Sequence, residues 1–277
     1  MDAFEQLVAR GDPLDLARGV ALLATDEYPA LDVDALLGQL DELAKPLLAR
    51  RLASVTASEQ ADALRVRLYE EAGYSGNETD YYDPKNSLLP DVLARRTGIP
   101  ISLALVYTEV ARRAGVKANG VAFPGHFLVR IDDAQDGFAF VDPFFGGKTM
   151  TDESLLALLQ KVSGQAGQAP PTMVTPQMLE PATTRVVMLR WLMNLRGVYL
   201  QRADFARAMV VMHRILSLSP DDAPALRDRG LLAARLGAIS QAKADLTRSI
   251  EVGKDPGLLA QTRSDLARLE KKRTSLN

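Results

Sequence analysis

Three side chains in this sequence have types and positions suited to nucleophilic chemistry. Ser102 lies at the start of a predicted helix, because the apolar residues after it recur at helical spacing and Pro100 suits a first helical turn. His126 opens a short run rich in Val, Phe and Ile that predicts a strand, and Asp142 ends the next predicted strand, just before Pro143. A serine, a histidine and an aspartate placed in this way can act as nucleophile, general base and orienting group.

A fourth residue, Asn86, could complete such a site. It lies near the end of residues 73–87, a polar and aromatic stretch that is long for a simple connection. Its amide could donate a hydrogen bond to an oxyanion at the start of the Ser102 helix, where backbone N–H groups and the helix dipole also favour negative charge. The alternative is that Asn86, Asp83 and Tyr82 make local hydrogen bonds within a turn.

Each residue of the Ser-His-Asp set also has a structural alternative. A serine at a helix start is most often a cap, a role that needs only its side-chain oxygen and a nearby backbone N–H. His126 could be hydrogen-bonded between strands, and Asp142 could be a turn residue that precedes Pro143. These alternatives stay open at the level of the sequence.

Composition limits the chemistry further. The 277 residues contain no cysteine, which excludes disulfides, thiolate metal ligands and a cysteine nucleophile. The two histidines, His126 and His213, are too few for a His-rich zinc site, so we predict no metal and no cofactor. A net charge of -2 and the lack of a long apolar run predict a cytoplasmic protein that binds neither nucleic acid nor membrane.

The elements that must position these residues belong to a predicted first domain, residues 1–162, which a linker joins to a predicted second domain. Residues 1–74 carry helical patterns, and residues 75–162 carry the mixed pattern that contains the four candidate residues. Residues 163–182 are rich in Gly, Gln and Pro and predict a linker. Residues 183–277 repeat with a period of 34, which is typical of tetratricopeptide helical hairpins, and end in a polar capping helix. The repeating pairs include Leu192 with Leu226, Ala203 with Gly237, and Met212 with Leu246.

A resemblance to a known family covers most of the chain and is most specific between Asn86 and Gly147. It rests on the motifs NSLLPDVLARRTGIPISLALVYTEVARRAGV, GVAFPGHFLVR and FVDPFFGG. These resemble the transglutaminase-like core domain of the bacterial family labelled SirB-type, in which tetratricopeptide repeats follow that domain. The resemblance implies an α+β, papain-like domain with N-terminal helices, followed by an all-α module of helical hairpins.

The same resemblance assigns roles to the candidate residues. In the transglutaminase-like superfamily the helix start carries a catalytic cysteine, and two strands carry a histidine and an aspartate. His126 and Asp142 match the latter two positions, whereas Ser102 falls at or next to the cysteine position. A scaffold suited to a thiolate activates a serine poorly, because a hydroxyl has a far higher intrinsic pKa than a thiol.

Three hypotheses about function follow. The preferred one is a protein-binding or regulatory protein, in which a degenerate transglutaminase-like cleft and the repeat groove recognise a protein or peptide. The second is a serine-dependent amidase, protease or acyltransferase that uses Ser102, His126 and Asp142, with Asn86 at the oxyanion. The third is a purely structural adaptor whose cleft is filled by its own side chains.

Overall fold

The computed structural model describes residues 1–165, 167 and 169–274. The chain divides into two compact units, Met1–Trp191 and a second that begins at Leu192. The first combines helices with two small sheets, and the described part of the second is helical. The predicted α+β domain followed by an all-α module is therefore confirmed.

The first unit begins with helices and ends with a sheet and further helices. Its helices are α1 (Ala3–Ala9), α2 (Leu16–Ala24), α3 (Val33–Ala44), α4 (Ala57–Arg65), α5 (Leu89–Arg95), α6 (Pro100–Arg113) and α7 (Asp152–Gln165). Its strands are β1 (Ser75–Gly76), β2 (Thr97–Gly98), β3 (Lys117–Val121), β4 (Leu128–Asp132), β5 (Phe138–Asp142) and β6 (Lys148–Met150). Short 3₁₀ turns cover Lys45–Arg50, Leu52–Ser54, Pro84–Asn86 and Pro176–Leu179.

Helix α6 lies at the centre of this unit. Leu103, Val106, Tyr107 and Val110 are buried at helical spacing, as the sequence predicts, and α6 packs against α3, β3 and β4. Gly115 follows the helix with a φ of +77°, which glycine adopts without strain. A helix buried to this degree fixes the position of its first turn, where Ser102 lies.

The four longer strands form one antiparallel sheet in the order β3-β4-β5-β6. One face packs on α7 through a cluster of buried side chains, namely Val121, Phe123, Leu128, Phe140, Leu155 and Leu159. His126 does not open β4 as predicted, because the strand begins at Leu128. Gly125 takes a φ of +63° and the N–H of His126 bonds to Phe123 O at 3.1 Å, so His126 closes a turn before the strand.

The last helical segment within residues 1–74 changes character partway along. Helix α4 begins after Thr56, whose side chain and that of Glu59 form a capping box. After Arg65 the backbone continues as a π-helical turn, Val66–Glu71. Such turns are rare and change which side chains share a face, so a helical period cannot predict them.

Part of the predicted linker is packed within the first unit. Helix α7 continues to Gln165, and Val174, Met178 and Leu179 lie against the buried cluster under the sheet. Pro181 forms an isolated antiparallel bridge with Val121 at the edge of β3. Residues 166 and 168 of the predicted linker, and residues 275–277 of the predicted repeat module, lie outside the described residues.

The described part of the second unit consists of consecutive helices. They are the end of α8 (Thr184–Gln201), then α9 (Phe205–Leu218), α10 (Ala223–Arg235), α11 (Ile239–Val252) and α12 (Pro256–Thr274). Helix α10 packs against α9 and α11, and α11 packs against α12. Ala208, Ala233 and Ala242 are fully buried, as expected where small residues let helices cross closely. Among the described residues, no helix is both long and apolar enough to cross a membrane.

Candidate functional site

The site is built around a buried pair, His126 and Asp142. Nε2 of His126 lies 3.0 Å from Oδ1 and 2.9 Å from Oδ2 of Asp142. The two residues are only 8% and 2% exposed, so water competes little for this contact. A carboxylate that accepts from Nε2 places the ring proton there and leaves Nδ1 as the nitrogen that could accept a proton. The two residues therefore lie together, and their roles as base and orienting group stay a prediction.

Asp142 also organises the turn after β5. Its Oδ1 accepts the N–H of Phe144 at 2.9 Å and that of Phe145 at 3.3 Å. The N–H of Gly147 bonds to the main-chain O of Asp142 at 2.8 Å and closes the turn. The two roles considered for Asp142, turn residue and partner of a histidine, are thus filled by the same carboxylate.

Ser102 is fully buried at the third position of α6, and its hydroxyl is bonded to the backbone. It accepts the N–H of Ile99 at 2.9 Å and lies 2.7 Å from the main-chain O of Asn86, to which it donates. Ile99 O is a second acceptor at 3.1 Å. Ser102 therefore has a capping role, with Ile99 rather than Ser102 as the N-cap residue.

The side chain of Asn86 is occupied within its own loop. Its Nδ2 donates to Asp80 O at 2.7 Å and to Tyr81 O at 3.2 Å, and its Oδ1 accepts from Asn77 Nδ2 at 3.0 Å. Because both amide N–H groups are used, none remains for an oxyanion. The side-chain amide of Asn86 therefore makes local hydrogen bonds, as in the second alternative. Its main-chain O accepts the hydrogen bond from Ser102.

The four predicted residues thus form two pairs. His126 bonds to Asp142, and Ser102 bonds to the backbone of Asn86. In the part of the chain that the structure describes, no hydrogen bond joins Ser102 to His126, and no three His, Cys, Asp or Glu side chains form a metal site.

Two further side chains hold the His126–Asp142 pair, and the sequence did not point to them. Tyr69, in the π-helical turn, donates its hydroxyl to Pro143 O at 2.7 Å. Burial raises the pKa of Tyr69, with Tyr107 and Asp142 adding to the effect, so the hydroxyl stays a donor. Its ring packs where a Cβ at Gly147 would clash, which fixes both ends of the turn.

Arg190 holds the turn that carries His126 in place. It donates from Nη2 to His126 O at 2.6 Å and from Nη1 to Phe123 O at 2.9 Å. Its guanidinium lies 5.5 Å from the centre of the Phe127 ring. Burial lowers the pKa of Arg190, yet an arginine stays charged at neutral pH. These bonds clamp the turn that carries His126.

We expect Tyr69→Phe to lower the free energy of unfolding by about 1 kcal/mol, because one hydrogen bond is lost while the ring keeps its packing. The ring nitrogens of His126 should also shift in ¹⁵N NMR spectra, because the turn that orients Asp142 loosens. Tyr107→Phe is the matched control, since its hydroxyl bond to Ala61 O is long, at 3.4 Å. If the His126 resonances are unchanged in Tyr69→Phe, then Tyr69 stabilises the fold but does not orient the His126–Asp142 pair.

Aromatic side chains surround the pair and form what we call the aromatic rim: Tyr81, Tyr82, Phe144 and Phe145. Their rings touch in sequence, with centroid distances of 5.3 Å, 6.1 Å and 5.0 Å, and Phe145 stacks on His126 at 6.2 Å. Tyr82 is 51% exposed, Phe145 42% and Tyr81 39%. Exposed aromatic side chains that cluster are uncommon on a protein surface and mark interaction sites.

Comparison with protein families gives the context of this site. Residues 34–193 match the family model described as "Transglutaminase-like superfamily", and residues 195–269 match the model described as "Tetratricopeptide repeat". The first match includes the whole of the site described above. The second confirms the repeats predicted from the period of 34.

Similar proteins include bacterial and mammalian ones. The UPF0162 protein of Xylella fastidiosa (strain 9a5c) is 39% identical over 252 residues, which cover 87% of this chain and 85% of that protein. Protein SirB1 of Salmonella typhimurium is 25% identical over 225 residues, 81% of this chain and 80% of its own. F-box only protein 21 of Mus musculus is 41% identical over 101 residues, which are 34% of this chain and 16% of that protein. The chain therefore belongs to the transglutaminase-like superfamily, with the bacterial UPF0162 proteins and SirB1 among its relatives.

Proposed function

We propose that this protein binds a protein or peptide partner in a transglutaminase-like cleft that has lost acyl-transfer chemistry. The two domain types favour a protein-interaction or regulatory role. The observation that carries the proposal is the bonding of Ser102, whose hydroxyl satisfies Asn86 O and the Ile99 N–H. To attack a carbonyl, Ser102 would have to leave both buried backbone groups unpaired, which costs about 1–3 kcal/mol for each.

The aromatic rim supports a binding role for the same cleft. Exposed aromatic rings provide large contact area with few rotatable bonds, and such residues dominate the energetics of many protein interfaces. Lys161 lies 5.9 Å from the centre of the Phe145 ring, so a positive charge borders the rim. A partner that places apolar side chains on Phe145 and Tyr82 would cover surface that is otherwise exposed to water.

The repeats of the second unit offer another surface for a partner, because tetratricopeptide repeats generally mediate protein interactions. Helical hairpins of this kind stack to form an extended concave surface. We propose that a partner engages both the cleft and the repeats, and that the protein acts in the cytoplasm. Two modest interactions on one chain gain affinity through effective concentration.

A second candidate function is a serine-dependent amidase, protease or acyltransferase. It is favoured by the buried His126–Asp142 pair, because the His126 ring bonds through Nε2 and, within the described residues, its Nδ1 makes no hydrogen bond. In this mechanism the hydroxyl of Ser102 attacks the carbonyl carbon of an amide while His126 takes its proton, and the start of α6 stabilises the oxyanion. The C–N bond then breaks as His126 returns the proton to the leaving amine. A purely structural adaptor is the third candidate; the exposure of the aromatic rim favours binding over it.

Fluorophosphonate labelling near pH 8, with the modified residue located by mass spectrometry, separates the first two functions. We expect no label at Ser102 in the wild-type protein, because an unactivated hydroxyl bonded to backbone groups reacts poorly. The variants Ser102→Ala and His126→Ala give the background. Labelling of Ser102 that disappears in His126→Ala would establish an activated serine and overturn the binding proposal in favour of the enzyme.

The binding role is tested by quantitative capture of partners on the immobilised full-length protein. Phe145→Ala should reduce the recovery of a specific partner by at least ~10-fold, since truncating a central aromatic residue of an interface typically costs about 2 kcal/mol or more. Leu48→Ala is the matched control, because Leu48 is 58% exposed and lies outside the rim. An equal loss of partner recovery in both variants, or no loss in either, would contradict a role for the rim.

A further inference from the structure

The outer edge of β3 is paired along only part of its length. The N–H of Ala182 donates to Gly120 O at 2.9 Å, and Val121 faces Pro181 in an antiparallel bridge. The chain then turns away from the sheet and begins α8 at Thr184. In the described part of the chain no strand pairs with the first residues of β3 on this side, and a pocket lies between them and residues 13–16.

The register shows which backbone groups this part of the edge presents. In an antiparallel strand the N–H and C=O groups of alternate residues point to opposite sides. Gly120 O points outward to Ala182, so the N–H and C=O of Ala118, two residues earlier, point outward as well. Within the described residues, no backbone hydrogen bond from another segment reaches Ala118. One donor and one acceptor are thus available in the geometry of a strand.

A pocket of about 490 Å³ lies directly beside these groups. Ala118 and Gly120 line one side, and Leu105, Phe127 and Val187 give the pocket an apolar part. Charged side chains line it as well, and those of Asp15 and Arg112 are mostly exposed to solvent. The Phe127 ring lies so close to Gly120 that a Cβ there would be 2.7 Å from a ring carbon, so the pocket wall depends on this glycine. Leu105, Phe127 and Val187 are each nearly fully buried, which makes the pocket a preformed feature of the fold.

We infer that this edge is a docking site for an extended peptide segment of a partner protein. The segment adds as a short strand to residues 117–119, exchanges hydrogen bonds with Ala118, and places one apolar side chain against Leu105, Phe127 and Val187. Residues 180–182 of the chain already pair with the next part of the same edge, which shows that the edge accepts a strand. Strand addition of this kind takes affinity from the backbone and specificity from a side-chain pocket. This site is separate from the His126 cleft and stands whether or not the cleft binds.

The test is an NMR titration of the full-length ¹⁵N-labelled protein with the blocked tripeptide acetyl-valyl-leucyl-valyl-amide. We expect the amide resonances of Ala118 and Gly120 to shift with a saturable dependence on peptide concentration. Acetyl-triglycyl-amide has the same backbone without apolar side chains and should bind at least ~10-fold more weakly. Absence of any shift up to millimolar peptide, or shifts confined to the aromatic rim, would overturn the proposal.

Two matched changes then test the backbone hydrogen bonds. Methylation of the leucyl nitrogen in the peptide keeps the side chain and removes a strand donor, and we expect at least ~10-fold weaker binding. Ala118→Pro removes the outward N–H from the protein; an edge position whose N–H faces away from the sheet tolerates proline. If the methylated peptide bound as tightly as its parent, the pocket would be an apolar site without strand addition.

Discussion

Replacing Asp142 with alanine is expected to lower the free energy of unfolding of the first unit by about 3–4 kcal/mol, because a buried hydrogen-bonded pair loses one partner. His126 would lose its only side-chain hydrogen bond in the described structure. The N–H of Phe144, buried in the turn, would lose its acceptor as well. The two losses act on neighbouring turns, so the effect should exceed that of an ordinary surface substitution several-fold.

Urea unfolding followed by tryptophan fluorescence measures this loss. Trp191 is the only tryptophan in the sequence and is fully buried, with its Nε1 bonded to Ser87 O at 3.0 Å, so its emission reports on the first unit. Asp142→Asn is the matched control, because its amide oxygen can still accept the N–H of Phe144, and we expect about half the loss. Equal losses below about 1 kcal/mol in both variants would show that the pair contributes little to the fold.

The proximity of His126 and Asp142 can be predicted from the sequence because local signals position both residues. A turn at Pro124-Gly125 precedes one residue, a strand end followed by Pro143 carries the other, and neighbouring antiparallel strands bring the two together. The position of a residue along a hairpin depends on residues that are close to it in the sequence. A pair formed in this way can be inferred from turn residues and strand alternation alone.

The bonding of Ser102 could not be inferred in the same way. Its acceptor is a main-chain oxygen 16 residues earlier, and only the folded loop that holds Asn86 brings that oxygen to the helix start. Arg190 lies 64 residues beyond the carbonyl of His126 that it binds, and the sequence between them passes through a sheet, a helix and the predicted linker. Every residue has a main-chain carbonyl, so the residue types in a sequence do not indicate which carbonyl a distant side chain will bind.

Ser87 illustrates the same limit. A serine just before a helix is a common cap, but Leu88 occupies the N-cap position of α5, without a side-chain cap. The Ser87 carbonyl instead accepts the indole of Trp191, 104 residues later in the chain. Here a tertiary contact, and not a local preference, sets the role of the residue.

Replacing Ser102 with alanine is expected to lower the free energy of unfolding by about 2–3 kcal/mol, because Asn86 O and the Ile99 N–H would both remain buried without their partner. A serine held in place as a nucleophile makes no such contribution; its removal leaves stability nearly unchanged or raises it. Stability therefore distinguishes the two roles of Ser102 without knowledge of any substrate. The same Trp191 fluorescence assay applies.

Ser154→Ala is the matched control, because Ser154 also lies near a helix start but donates to Thr151 O at the surface; we expect a change within about 0.5 kcal/mol. Ser102→Cys tests whether a thiol can be restored. Gly98 lies against the hydroxyl so closely that a Cβ there would clash, and the larger sulfur should be destabilising by about 1–3 kcal/mol. Ser102→Ala with wild-type stability, together with a stable and thiol-reactive Ser102→Cys, would instead identify the start of α6 as a catalytic position whose nucleophile has been exchanged.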